Sequence, residues 1–183
     1  MIKKVIEHRR AVYPRQYNDK PIKQSDIEQV LEAANWAPTH KRTEPWRFKV
    51  IRGEKLEEFG AYLAAKYKET AKKFSERKYN KTKNKCLQSS CVVAICMQRD
   101  AKERIPEWEE VASTAMAVQN MWLTASDLGI GAYWSSPALR NEVDGFIDLN
   151  EGEHCLGFFY MGHYDGELPE GFREPLADKV EWL

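Results

Sequence analysis

The chain has 183 residues, 43% hydrophobic and 11% aromatic, and its 28 Lys and Arg balance 28 Asp and Glu. That length and apolar content suit one folded domain, 1–183, with a core of its own, and exclude a disordered polypeptide. Zero formal net charge argues against a dedicated nucleic-acid binder, and no segment approaches the roughly 20 apolar residues of a membrane helix.

The opening stretch MIKKVIEHRR lacks the apolar run of a secretory leader, so the expected location is cytoplasmic. Ile2, Val5, Ile6 and Arg9 keep helical spacing, which predicts a short helix over 2–9, broken at Tyr13-Pro14. Ser25-Asp26-Ile27-Glu28 has the form of a capping box, with Ile27, Val30, Leu31 and Ala34 as the apolar stripe of a second helix ending before Pro38. ANWAPTHKRTEPWRF, 34–48, follows. It is rigid, aromatic and cationic, unlike a solvent turn or a core segment, and it suits the wall of a flat, polar ligand. Trp46 to Arg52 then reads as a strand.

Residues 54–85 are polar and helical in pattern. Between Lys66 and Lys85, nine Lys or Arg face only Glu69 and Glu76. The preferred reading is a solvated, mobile helical arm; a basic RNA-binding helix is the rival. Cys91 to Met97 is a short apolar run with the composition of a buried strand. Pro106 and Glu107, Glu109 and Glu110 open a helix running to about Leu128, with negative charge at its positive end. Val111, Ala115, Val118, Trp122 and Ala125 form its predicted stripe, and its small, uncharged surface suggests contact on most sides, including a subunit interface. Strands are expected at Ala132–Trp134 and Cys155–Met161, followed by a tail from Tyr164 with little helix. The expected fold class is α+β, in two or three layers.

Common catalytic signatures are missing: the sequence holds no G-x-G-x-x-G, phosphate-loop lysine motif or G-x-S-x-G. His8, His40, His154 and His163 are not spaced as metal ligands, and Cys86, Cys91, Cys96 and Cys155 form no C-x-x-C pair, so reduced, buried thiols are expected and metal ligands are not. Without an obvious acid–base pair, a cofactor is expected to carry the chemistry. Arg9-Arg10 suit a phosphate clamp, although cations at a helix C-terminus have the same placement for a purely structural reason. Trp36, Trp46 and Trp134 offer flat walls, and His40, Lys41, Ser135 and Ser136 offer donors beside them. Together they describe a site for flavin mononucleotide (FMN).

On the segments EHRRAVYP, AANWAPTHKRTEPWRFKVI, ASTAMAVQNMWLTASDLGIGAYWSSPAL, CLGFFYMGHYDG and FREPLADKVEW, the chain resembles the nitroreductase family of FMN-dependent oxidoreductases, in its compact subgroup. The resemblance implies a central mixed, mostly antiparallel sheet flanked by helices. It also implies a homodimer with tightly bound FMN at the subunit interface and a C-terminal tail exchanged between subunits. It carries phosphate contacts onto Arg9, Arg10, Ala11 and Arg173, places Trp36 and His40 over the flavin of the partner subunit, and places Trp134, Ser135 and Ser136 near the flavin. No catalytic residue follows from it. Ala11 stands where relatives often carry serine, and Arg42-Thr43-Glu44-Pro45-Trp46 replaces the widespread N-x-Q-P-W, so an Asn–Gln contact does not carry over.

The implied reaction passes a hydride from NADH or NADPH through the flavin to a nitroaromatic, quinone or similar acceptor by a ping-pong mechanism, with His40 and Lys41 as candidates for the positive environment near flavin N1. The alternatives are an FMN-holding sensor or reservoir without significant turnover, and a module binding nucleic acid or acidic partners through the basic arm.

Overall fold

A computed structural model describes residues 2–183. Along the described residues lie five α-helices and four strands: α1 Ile2–His8, α2 Gln24–Asn35, β1 Trp46–Ile51, α3 Lys55–Thr70, α4 Glu76–Leu87, β2 Cys91–Gln98, α5 Glu107–Asp127, β3 Gly131–Ser135 and β4 Glu153–Gly162. The strands form one sheet in the order β1-β2-β4-β3, and every neighbouring pair is antiparallel. A parallel element enters through the bridge Ala11–Ala132, where the segment after α1 runs beside β3.

β2 shows why the fold has three layers. Side chains on a strand alternate between faces. Cys91, Val93 and Ile95 enter one core with α2 and α5, whereas Val92, Ala94 and Cys96 enter the other with α3 and the end of α4. Cys91 and Cys96 therefore point to opposite faces of the sheet. Every residue from Cys91 to Met97 is buried, which explains the unbroken apolar run of a central strand.

Four expectations are revised. The capping box at Ser25 does not form. Ile22 is buried and its N–H donates to Ser90 Oγ (2.8 Å), so the chain enters α2 two residues early, at Gln24, and the Ser25 hydroxyl turns to Asp26 instead.

The face of α5 is also rotated from the predicted stripe. Glu110, Ser113, Thr114, Ala117, Val118, Met121 and Ala125 are buried, while Val111 and Met116 are exposed. The cause is Glu110, fully buried by its ion pair with Arg99 and by the Asp100 N–H, which donates to Glu110 Oε1 (3.0 Å).

The basic arm is a packed hairpin rather than a free one. α3 buries Leu56, Phe59, Leu63 and Ala64, and at Gly60 it approaches α4 so closely that a Cβ would lie 2.7 Å from the Lys83 carbonyl. Finally, of the expected tryptophan walls, Trp46 belongs to the core, its Nε1–H donating to Asn35 Oδ1 (3.2 Å).

Among the described residues, no helix is long and apolar enough to cross a membrane.

Candidate functional site

Arg9 and Arg10 leave α1 just as the chain turns to run beside β3. The Arg9 N–H still bonds the Val5 carbonyl (2.9 Å), and Val12 N–H donates to Ala132 O (3.0 Å), so both arginines are fixed by backbone on either side. The Arg9 guanidinium lies over the Trp122 ring of α5, 4.5 Å from its centroid. Arg10 donates to three carbonyls: Pro169 (2.9 Å), Glu7 (2.6 Å) and Arg9 (2.9 Å). The tail crosses here, and Gly171 lies so close that any Cβ would overlap the Arg10 guanidinium. That crossing brings Arg173 to the same place.

Burial, then the neighbouring Arg173 and Arg10, pushes the Arg9 guanidinium below its ordinary value. No carboxylate offsets this, and among the described residues none of the three arginines is in an ion pair. Three uncompensated guanidiniums with partly desolvated walls have the chemistry to hold a compact anion.

Ala11 sits between the arginines and β3, presenting backbone rather than a side-chain hydroxyl. At the far end of β3, Trp134 and Ser135 fold against Gly157. Gly157 has φ 146°, and a Cβ there would lie 2.5 Å from Ser135 O and 2.6 Å from Trp134 Nε1. The Trp134 Nε1–H is buried without a partner among the described residues. A buried indole N–H ordinarily has an acceptor, so this one is a mark against a closed, self-sufficient structure. Ser136 begins the turn into the single helical turn at Ala138–Glu142.

The loop after α2 is strained. Lys41, Arg42 and Glu44 all have positive φ (49°, 53° and 42°), a conformation that L side chains seldom adopt. It is held by a lattice of short contacts. His40 Nδ1–H donates to Glu109 Oε2 (2.5 Å), Lys41 Nζ to Arg104 O (2.9 Å), and Glu44 N–H to Thr39 Oγ1 (3.1 Å). His40 and Lys41 are thus engaged with α5 and with the loop before it. Trp36 stands 80% exposed, its Nε1–H donating to Glu32 (2.9 Å).

The structure therefore brings Arg9, Arg10 and Arg173 together and sets Ala11, Trp134, Ser135 and Ser136 along one strand edge. It leaves Trp36 and His40 on a separate loop of the same chain. Sequence reasoning passed over Trp122 as a support for Arg9 and Glu109 as the partner of His40. The spacing Glu109, Ala112, Ser113, Met116 along α5, which lines a cleft of about 270 Å³ beside His40, was the signal available for the second.

The model of the nitroreductase family matches residues 6–163. A Bacillus subtilis protein named "Putative NAD(P)H nitroreductase YfhC" is 29% identical over 187 residues, covering 98% of this chain and 92% of its own length. The crystal structure of a nitroreductase-like family protein from Bacillus cereus superposes with a TM-score of 0.84 at 27% identity, covering 100% of this chain and 96% of its own. A nitroreductase with bound FMN from Bacteroides fragilis has the same fold, with a TM-score of 0.74 at 21% identity, covering 100% and 98% of the two chains.

Proposed function

The chain belongs to the nitroreductase family, and on that premise we propose that it is an FMN-dependent NAD(P)H oxidoreductase working as a homodimer. The observation that carries the cofactor is the convergence of Arg9, Arg10 and Arg173 without a carboxylate. A phosphate monoester there accepts charge-assisted hydrogen bonds from guanidiniums already held in place. The names of the relatives, "Putative NAD(P)H nitroreductase YfhC" and nitroreductase with bound FMN, agree with that reading.

The remaining site residues fit the rest of the cofactor. Ala11 lets the backbone approach closely at the cost of one hydroxyl contact. Trp134, with its unpartnered N–H, and Ser135 and Ser136 border the flavin along β3. Trp36 and His40 cover the flavin of the partner subunit. The exposed Trp108, Val111 and Met116 of α5, with Ile2 and Ile6 of α1, provide an apolar face for the second copy, and Leu176, Val180 and Trp182 let the tail lie across it.

Bound FMN would supply two-electron chemistry, carrying a hydride from NADH or NADPH to a nitroaromatic, quinone or similar small-molecule acceptor in a ping-pong sequence. The chain's own part is positional and electrostatic. The arginines anchor the cofactor, the strained 40–44 loop excludes water above it, and Glu109 fixes the tautomer of His40 by accepting its Nδ1–H.

The test is a visible absorption spectrum of the purified protein, before and after anaerobic NADPH or NADH. The expected protein is yellow, bleaches on donor addition and recolours with a quinone or nitroaromatic. Failure to bleach points to the FMN-holding role, and a colourless protein that cannot be loaded removes the flavin.

A further inference from the structure

The cysteines have no part in the function proposed above. All four are buried and free. Cys86 lies in the last turn of α4, and Cys91 opens β2 opposite Met161. Cys96 of β2 and Cys155 of β4, by contrast, are cross-strand partners.

A break in the sheet puts them opposite each other. From Cys91 to Ile95 the pairing of β2 with β4 is regular, and Ile95 faces Gly157. The next residue, Cys96, faces Cys155, so one step along β2 is matched by two along β4, which is a β-bulge. In an unbroken register Cys96 would face Leu156, and Cys155 would point to the other side of the sheet. Instead Cys155 joins Phe158, Tyr160 and Cys96 in the core under α3, and Leu156 packs against the opposite core. Gly157 takes up the extra residue with its φ of 146°, a conformation that suits glycine.

Opposed residues of an antiparallel pair have Cα atoms about 4.5 or 5.5 Å apart. Both spacings fall within the roughly 4.4–6.8 Å that a disulfide spans. The two thiols share a hydrogen bond, and Cys155 S–H also donates to the Gly157 carbonyl (3.6 Å). The bond between them holds the Cys155 thiol below its ordinary value against its burial, with Arg140 assisting, and pushes Cys96 up. Access favours the same member, since Cys155 is 6% exposed and Cys96 is sealed.

We propose that Cys96 and Cys155 are a peroxide-oxidisable pair that closes to a reversible disulfide between β2 and β4. The Cys155 thiolate attacks hydrogen peroxide, the O–O bond breaks, and Cys155 becomes a sulfenic acid while hydroxide leaves and takes up the proton that Cys155 lost. Cys96 Sγ then attacks the sulfenic sulfur. The S–S bond forms, the S–O bond breaks, and a second water leaves with the Cys96 proton. In all, the two thiols lose two electrons and two protons, and one peroxide is reduced to two waters. Cys96 is the resolving thiol, which stops Cys155 short of sulfinic acid. The pair needs no cofactor, so it stands or falls apart from the flavin reading.

The experiment exposes the native full-length protein to a small excess of hydrogen peroxide and quenches it in acid. Remaining thiols are blocked with N-ethylmaleimide in denaturant, and the chain is mapped by proteolysis and mass spectrometry. The expected result is a loss of two hydrogens per chain and one linked peptide pair, Cys96 with Cys155. Cys86 and Cys91 stay open to maleimide, and dithiothreitol restores all four thiols. In Cys96→Ala, Cys155 is expected to be trapped by dimedone as the sulfenic acid and, without dimedone, to run on to sulfinic acid. The wild-type map decides the proposal even if that variant does not fold.

Four thiols still open to maleimide after peroxide overturn the proposal. So does a bridge that joins other cysteines or two chains, or one that forms only when the protein is oxidised in urea. Cys155 found as sulfinic acid in wild type, with Cys96 still reduced, overturns it as well.

Discussion

Two cationic regions lie on opposite sides of the sheet, one against α5 and one on α4, and they are built in opposite ways. Around Arg9 and Arg10 the guanidiniums are held before any ligand arrives, by a ring face and by three backbone carbonyls. On α4 the cations are long side chains on an outer helical face, and most of them stand in solvent. The first arrangement loses little entropy on binding and suits a ligand that stays. The second gives a broad attractive field with little fixed geometry, which suits a ligand that comes and goes each turnover. The buried pair Arg99–Glu110 is the internal reference, a cation whose charge is already met by the protein.

The largest effect that sharpens this contrast is expected at the ordered cluster. Charge-assisted hydrogen bonds contribute about 1.5–3 kcal/mol each. Arg9→Ala/Arg10→Ala therefore lowers FMN affinity by roughly 10²–10⁴-fold, measured by flavin fluorescence on reloading the stripped protein. Thermal stability of the stripped protein changes little by comparison, because no internal ion pair is broken. Undiminished FMN affinity in this variant removes the phosphate assignment and, with it, the distinction between the two regions.

The reference pair behaves in reverse. Glu110→Ala leaves Arg99 half-enclosed without its counter-ion and the Asp100 N–H without its acceptor. The expected cost is about 3–5 kcal/mol of folding stability, read from urea unfolding. Flavin affinity of the folded fraction is expected to hold within a few fold. A strong loss of FMN binding at unchanged stability would make this pair part of the site rather than of the scaffold.

The contrast between fixed and diffuse also marks where the sequence was legible. The α+β class, the buried β2 run, the start of α5 at Pro106 and the close of β4 at Gly162 all follow from periodicity and turn chemistry, which act locally. The pairing of Arg9 and Arg10 with Arg173 spans most of the chain, and only the resemblance to a family suggested it. The misreadings share a cause. The Ser25 cap does not form because Ser90, far along the chain, captures the Ile22 N–H; the buried face of α5 departs from its apolar stripe because a charged residue, Glu110, is buried. Both are tertiary contacts overriding a sound local pattern. Lysine density likewise suggested a free arm, since composition does not show that Gly60 admits α4 against α3.

The smallest effect bears on the diffuse region. Lys81 has a like charge four residues away on each side, Arg77 and Lys85. Each such pair costs an isolated helix about 0.2–0.5 kcal/mol. Lys81→Gln is therefore expected to raise stability by about 0.4–1 kcal/mol at low ionic strength, seen as a higher midpoint in thermal or urea unfolding, with the gain shrinking as salt screens the row. An exposed lysine that supported the fold would give the opposite sign. A gain in stability means that the wild-type row is kept against the interest of the helix, which is expected where residues serve a ligand rather than the core. If stability falls instead, α4 is held by its lysines, and the row is part of the scaffold.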